Sequence, residues 1–456
     1  MASPTTHRRS TRRRRTVLIS AATVAAAGLG AGLLAMNASA AVDLSHQVLP
    51  AKDGWAADGS GTTGGSKADS AHVFTVSTRA ALMKALGADT DSTPKIIQIS
   101  GTIDANTNDA GKKVTCADYA AGTGYSLSAY LKAYDPATWG KKLPSGTQEQ
   151  ARDAAKAKQQ KNIQFRVGSN TTIVGVPGSN AGIIGGNLLV QDVNNVIIRN
   201  LNLSATEDCF PQWDPTDGST GNWNSAYDSV GLRGATHVWA DHNTFSDAPA
   251  FDSGGKTYFG RPYQVHDGAL DITKGSDLVT VERNLFSSHD KTMLIGASDT
   301  DTDSVGKLRV SIHHNVWKGI TQRVPLARIG QVHIYNNYFD TTPLNGYAAK
   351  YTIDSRAKAQ VVAEHNYWKL SSDRKVAQLL SGDGTGSVAG AGNVVNGTAT
   401  DLVAAYNAAN SKKMKTTVNW TPVNTAGLQT SAAKLPTELA SSTGAGVLTA
   451  SGTTAK

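Results

Sequence analysis

One phrase recurs along the middle of the chain: an alternating apolar run, a polar residue, Asn, and an apolar re-entry. Val238-Trp239-Ala240-Asp241-His242-Asn243-Thr244-Phe245 states it in full, and it returns at Val279–Phe286, Val310–Trp317, Val332–Phe339 and Val361–Trp368. Val196–Leu203 is an earlier, less regular member. The starts are separated by 42, 41, 31, 22 and 29 residues. The shortest interval suits one coil of a parallel β-helix; the longer ones are coils with loop insertions, or two coils together. Asn at such a corner tolerates left-handed backbone angles, and stacked amides can hydrogen-bond from coil to coil. A β-sandwich also supplies alternating strands, but its turns would not reproduce the same phrase. The pattern predicts an all-β solenoid.

Other regions depart from the phrase. Residues 106–164 interrupt it, and Gln148–Lys161 is rich in Ala, Gln, Lys, Glu and Arg, which predicts a helix on the surface or at an end of the solenoid. The open ends of a β-helix need covering. Residues 441–456 are rich in Ser, Thr, Gly and Ala and read as a mobile tail. At the other terminus, six arginines between His7 and Arg15 precede an apolar stretch, Val17–Met36, and then Ala38-Ser39-Ala40. That order describes an export signal cut after about residue 40, leaving 41–440 as the β-helix domain. The apolar stretch is also long enough for a membrane anchor, the alternative reading. Arg14-Arg15 admits twin-arginine export without deciding the route. No later segment is apolar for long enough to span a bilayer.

Removing this segment changes the charge. Its six arginines and lack of acids account for most of the formal +8, leaving about +2. Nucleic-acid binding therefore gains no support from the global balance. Cys116 and Cys209, the only cysteines, lie in the exported portion and are either bridged or two buried thiols. Two cysteines with no companion His pattern argue against a zinc site.

Four pieces carry candidate chemistry: Asp228; Asp267 with Asp271; Lys291; and Arg323 with Arg328. Positions four apart on a strand project to one side, so Asp267 and Asp271 can share a face. Coils about 4.8 Å apart make neighbours of residues distant in sequence. Carboxylates at one height and cations at the next would form a groove with separated charge. Three carboxylates without His or Cys prefer a hard cation, and calcium tolerates irregular geometry better than magnesium. Each Asp alone reads as a solvated turn residue; only the set points to a site. His242, His313 and His314 occupy repeated positions that suit packed structural histidines. Asp241-His242 resembles part of a hydrolytic dyad, but no Ser sits in a recognisable elbow. Asp299, Asp301 and Asp303 alternate in a loop that is either solvated or able to hold another cation.

The segments Trp213–Gly218, Trp239–His242, Tyr258–Arg261, His266–Asp271, His289–Lys291, Gln322–Arg328 and Tyr335–Tyr338, with Leu131–Pro136, together resemble the pectate lyases of polysaccharide lyase family one, most of all the alkaline bacterial ones. The likeness runs from about residue 95 to 368 and more thinly beyond. It implies a right-handed parallel β-helix and a secreted, monomeric lyase that cuts polygalacturonate by β-elimination with calcium. Position by position, it implies Asp228, Asp267 and Asp271 as calcium ligands, Arg323 as the base, and Lys291 and Arg328 as holders of substrate carboxylates. Some members carry a further Asp where this chain has Ala226, so water or substrate would complete the coordination. Related pectin lyases, which act on esterified polymer, lack the acidic cluster, so its presence implies the unesterified substrate. A guanidinium is a reluctant base, with a reference value of about 12.5–13.8, and Lys291 is the rival. Two other readings stay in view: a hydrolase of the same shape using paired carboxyls, and a β-helix that binds acidic polysaccharide without cutting it.

Overall fold

A computed structural model describes residues 43–449. The expected export signal, residues 1–40, lies outside the described residues. Three sheets of 10, 8 and 10 strands run the length of the domain, each pairing a strand with its counterpart one coil later. Pairing along all three is parallel, save for a terminal antiparallel pair, Val394–Val395 with Thr398–Ala399. The repeated phrase is the first sheet turning into the third. Asn194–Arg199, Thr236–Asp241, Asp277–Glu282, Arg309–His313, Gln331–Tyr335 and Gln360–Glu364 are successive neighbours in the first sheet. Every interval is thus a single coil, and the longer ones contain insertions. A β-helix is the predicted architecture and the one observed.

The corner works differently from its prediction in one respect. The left-handed residue is the one before the Asn: His242, Arg283, His314, Asn336 and His365 all have φ between 49° and 54°. Asn itself, with its side chain inward, builds the ladder. The backbone N–H of Asn243 donates to Asn284 Oδ1 at 2.8 Å, and the relay continues through Asn315, Asn337, Asn366 and Asn393. Val196–Leu203 is less regular because Asn200 takes the left-handed position and Leu201 the ladder position, where its N–H donates to Asn243 Oδ1 at 3.1 Å. Beside the ladder, Phe245, Phe286, Trp317, Phe339 and Trp368 stack through the core, with ring centroids 4.1 to 6.0 Å apart and planes within 9°. Such stacked rings add about 0.5–1.5 kcal/mol per pair beyond their burial.

Both ends are covered. Helix Arg79–Leu86, capped by Thr78, puts Leu82, Ala85 and Leu86 against Val76 and Ile97 at the first coil. Helix Leu402–Ala409 closes the other end with Leu402, Val403 and Tyr406. The predicted surface helix is Thr147–Ile163, with Ala151, Ala155 and Ile163 buried. Cys116 and Cys209 are bridged, joining this helical region to the solenoid. The expected tail differs: the N–H groups of Gly444, Ala445 and Gly446 bond to Arg283, Thr244 and Asn200, and Leu448 is buried. The small residues there fit close approach to the sheet rather than mobility. Residues 450–456 lie outside the described residues. Among the described residues, no helix is long and apolar enough to cross a membrane.

Candidate active site

The candidate residues gather where the third sheet turns into the second. Asp228 precedes strand Val230–Arg233, and Asp271 lies in Leu270–Thr273, paired with Gly231 one coil away. Lys291 ends strand Leu285–Lys291, and Arg323 follows Val316–Gln322, whose Gln322 pairs with Lys291. Successive coils therefore present acids and then cations on one edge, as the spacing predicts.

Glycine makes the acidic part possible. A Cβ on Gly268 would fall 2.3 Å from Asp271 Oδ1 and 2.8 Å from Asp228 Oδ1, so any side chain there would displace these carboxylates. The Gly268 N–H donates to Asp228 Oδ1 at 3.0 Å, and Leu294 N–H to Asp271 Oδ1 at 2.9 Å. Asn187 steadies the backbone by donating to the Asp228 carbonyl at 2.7 Å. Burial, then Asp271 and Asp267, push Asp228 well above the usual carboxylate range. Asp271 is pushed up to about 7 by burial and by Asp267. The corner holds more negative charge than its neighbours neutralise. Its donors are all oxygen, which fits a hard divalent cation.

Asp267 is held apart from this pair. Lys291 Nζ lies 3.3 Å from Asp267 Oδ1, so the lysine draws the carboxylate toward itself. The three aspartates accordingly do not form a tight three-ligand group here; among the described residues that spacing belongs only to Asp53, Glu282 and His313. Behind Asp267 sits a buried network that the sequence did not announce. His289 Nε2 donates to the Asp267 carbonyl at 2.9 Å while its Nδ1 bonds Asp247, which also accepts from Tyr347 Oη at 2.6 Å. Burial opposes a charge on His289, but Asp247 outweighs it and lifts the imidazole to about 9. With both ring nitrogens facing acceptors, His289 is an imidazolium that ties the Asp267 backbone to the coil beneath.

Arg323 sits at φ 61°, in the left-handed region that the ladder corners also use. Its backbone is fixed on both sides: the Arg323 carbonyl accepts from Met293 N–H at 2.8 Å, and Val324 N–H donates to Thr352 O at 2.8 Å. Its Nε is buried with no hydrogen-bond partner. Lys291 and Arg323 line a polar cavity of about 450 Å³ together with Arg261, Gln264, Asp290 and Lys350. Arg261 and Lys350 add positive charge that sequence spacing did not reveal, because both lie in insertions outside the repeat. Gln264 and Gln322 both donate to Asp290, bracing the floor. Arg328 is placed less simply: its Nε bonds Asp299 Oδ1 at 2.5 Å and its Nη1 the Gly296 carbonyl at 3.2 Å. Of the loop acids, Asp299 is thus a partner for Arg328, while Asp301 accepts from Ser304 Oγ at 2.7 Å within a turn. Asp228, Asp267, Asp271, Lys291 and Arg323 are brought together, whereas Arg328 is paired with Asp299.

Comparison with known proteins agrees with this geometry. The family model described as pectate lyase matches residues 22–124 and 143–448. A pectate lyase of Bacillus subtilis (strain 168) is 45% identical over 400 residues, covering 87% of this chain and 92% of that protein. Pectate lyase D of Dickeya chrysanthemi is 36% identical over 329 residues, 72% of this chain and 71% of the relative. Among solved structures, a pectate lyase bound to hexasaccharide superposes with a TM-score of 0.84 at 42% identity, covering 89% of this chain and 99% of that one. A thermostable pectate lyase superposes with a TM-score of 0.85 at 43% identity, over 89% of this chain and 99% of the other.

Proposed function

Because the chain belongs to the pectate lyase family and is a polysaccharide lyase, we propose that it is secreted and, as a monomer, cleaves de-esterified polygalacturonate by calcium-assisted β-elimination. The observation that carries this reading is one edge where three carboxylates, short of positive charge, adjoin Lys291 and Arg323. A polysaccharide-binding β-helix without activity needs no arginine at a fixed place beside such acids. A hydrolase needs an acid and a base flanking water, and nothing here requires that pair.

Asp228, Asp267 and Asp271 would hold calcium, Asp267 exchanging Lys291 for the ion. Bound there, calcium supplies Lewis-acid stabilisation to the uronate carboxylate. Lys291 would face the same carboxylate as a point charge. Arg328 exchanges Asp299 for a neighbouring substrate carboxylate, in the paired fashion a guanidinium favours. Arg323, in its neutral form, accepts the proton on carbon 5, the electron pair of that bond forms the carbon 4–carbon 5 double bond, and the glycosidic oxygen leaves carbon 4 with the pair of its bond and takes a proton from water. Charge developing on the substrate carboxylate makes these cations worth most in the transition state. Lys291 is the second candidate base; its pairing with Asp267 suits a charged donor better, whereas Arg323 Nε has no partner.

Incubation with polygalacturonate, with calcium or with chelator, tests the proposal. Ultraviolet absorbance from an unsaturated product, lost with chelator, is expected. Chain cleavage without that absorbance would establish a hydrolase, and retention of polymer without cleavage a binding protein. Export is tested by the amino terminus of protein recovered from culture medium, expected near residue 41.

A further inference from the structure

The outer face of the first sheet holds a second cluster of ligating side chains, remote from the aspartate corner in the fold. Glu282 and His313 are register partners on adjacent strands, Asp277–Glu282 and Arg309–His313. Asp53 reaches them from the amino-terminal segment, which crosses this face. The Trp55 N–H donates to Ser311 Oγ and the Ala56 N–H to Thr280 Oγ1, each at 3.0 Å. The carboxy-terminal segment lies over the same place: Asp53 bridges Thr425, and the Gly54 N–H donates to Asn424 O at 2.7 Å. One ligand atom from each of Asp53, Glu282 and His313 lies within 4.8 Å of the other two.

The imidazole is placed as a ligand. His313 is 1% exposed, and its Nε2 has no hydrogen-bond partner although Asp53 Oδ1 is 3.3 Å away. Its Nδ1 lies 3.0 Å from His314 Nδ1 and 3.8 Å from Glu282 Oε2. A proton on Nδ1, shared with His314, leaves the Nε2 lone pair facing Asp53. Tyr335 stacks on the ring at 4.6 Å and fixes its plane. Trp239 Nε1–H occupies Glu282 Oε1 at 2.7 Å, so Oε2 remains. Supporting bonds of this kind orient the ligands of metal sites.

The charges agree. Asp241 is already paired with Arg199 at 2.6 Å and with His242. Arg283 offsets part of what remains. Even so, burial and then Asp241 raise Asp53 to about 6, and burial with Asp53 and Asp241 raises Glu282 well above its usual range. Burial, then His314 and Arg283, keep His313 neutral, the form that binds metal. A neutral imidazole beside two carboxylates is a donor set for zinc and its first-row neighbours rather than for calcium or magnesium. The sequence argument against zinc rested on the cysteines, and none is used here.

We propose that Asp53, Glu282 and His313 bind a divalent first-row transition metal, zinc fitting best, which fastens the amino-terminal segment to the first sheet under the carboxy-terminal segment. The metal is structural, and the lyase reaction does not pass through it.

The test uses the full secreted chain in saturating calcium, titrated with Zn²⁺ by calorimetry. Asp53→Asn and Glu282→Gln keep shape while weakening the donors. One tightly bound zinc per chain is expected, with affinity in both variants reduced beyond the roughly 10–100-fold that loss of an outer-shell partner costs. Zinc should raise the thermal midpoint of the unsubstituted chain and of neither variant, and lyase turnover of Asp53→Asn should match the unsubstituted chain. Should Glu282→Gln fold poorly, Asp53→Asn decides alone, since its side chain lies at the edge of the cluster. Anomalous diffraction at the zinc edge locates the ion. Equal zinc affinity in Asp53→Asn, no tight zinc at all, or an anomalous peak only at the aspartate corner or at the surface pairs His46–Asp43 and His72–Asp69 would overturn the proposal.

Discussion

Two corners of the same coil obey different rules. Where the first sheet turns into the third, five successive coils repeat one solution: a left-handed residue, an inward Asn, and a buried aromatic two positions on. Where the third sheet turns into the second, the coils vary, although strands Leu285–Lys291 and Val316–Gln322 stay in register. Asp228, Asp267 and Arg323 each enter from a different backbone path, and the insertion before Asp267 runs from about residue 247 to 266. The first corner satisfies its own polar groups through the amide relay. The second leaves carboxylates crowded and a guanidinium nitrogen unpartnered. A solenoid so regular on one side can hold uncompensated charge on the other, because stability and chemistry are assigned to separate edges.

Substitutions should separate these edges. The largest effect belongs to the irregular corner: Arg323→Ala is expected to lower turnover of polygalacturonate by about 10²–10⁴-fold, the usual contribution of a positioned proton acceptor. Product absorbance at saturating calcium measures it, and the urea midpoint should stay close to that of the unsubstituted chain. Near-normal turnover would pass the role to Lys291. At the regular corner the outcome reverses. Asn315→Ala leaves the Asn284 N–H without its acceptor inside the core. A loss of about 1–3 kcal/mol in stability should follow, read from urea unfolding, with turnover per folded molecule unchanged. If turnover fell as far as stability, the two edges would not be separable.

Gly268→Ala probes the border between them. Its Cβ would crowd Asp271 Oδ1 and Asp228 Oδ1 without touching the ladder. Calcium affinity should fall by about 10–100-fold, as when ligand orientation is disturbed, and calcium dependence of activity should shift accordingly. Legibility in the sequence follows the same division. The ladder was readable because its Asn, its preceding polar residue and its aromatic recur in five successive coils, although the left-handed angle fell one position earlier than expected. Asp228, Asp267, Asp271, Lys291 and Arg323 could be named from motif and resemblance. The supports could not: Gly268 acts by lacking a side chain, His289 and Tyr347 meet through Asp247 from three insertions and coils, and Arg261 and Lys350 lie in loops without period. The end-capping helix Arg79–Leu86 escaped because it is only 8 residues long and falls outside the repeat.

The smallest effect expected is one of pH, at the regular corner. His314 holds the left-handed position in its coil, and burial, followed by Arg283, lowers its imidazole to about 3. An unfolded histidine takes up a proton near 6.5. Between those values the unfolded chain binds a proton that the folded chain refuses, so the contribution of His314 to stability is lost as pH falls from 6.5 toward 3, by at most about 1.4 kcal/mol per pH unit. Asp208 works in the opposite sense: burial lifts its carboxyl to about 6 despite N–H donors at Phe210 and Ala226, so acidification favours the folded chain there. A whole-protein pH profile therefore mixes signs, and only a difference is informative. His314→Asn keeps a side chain that tolerates the left-handed angle and removes the titration. Urea midpoints at pH 7 and pH 4.5 should fall more for the unsubstituted chain than for this variant. Parallel decline of the two would mean that His314 accepts its proton in the folded state, and with it that the ladder corner is less dry than its packing indicates.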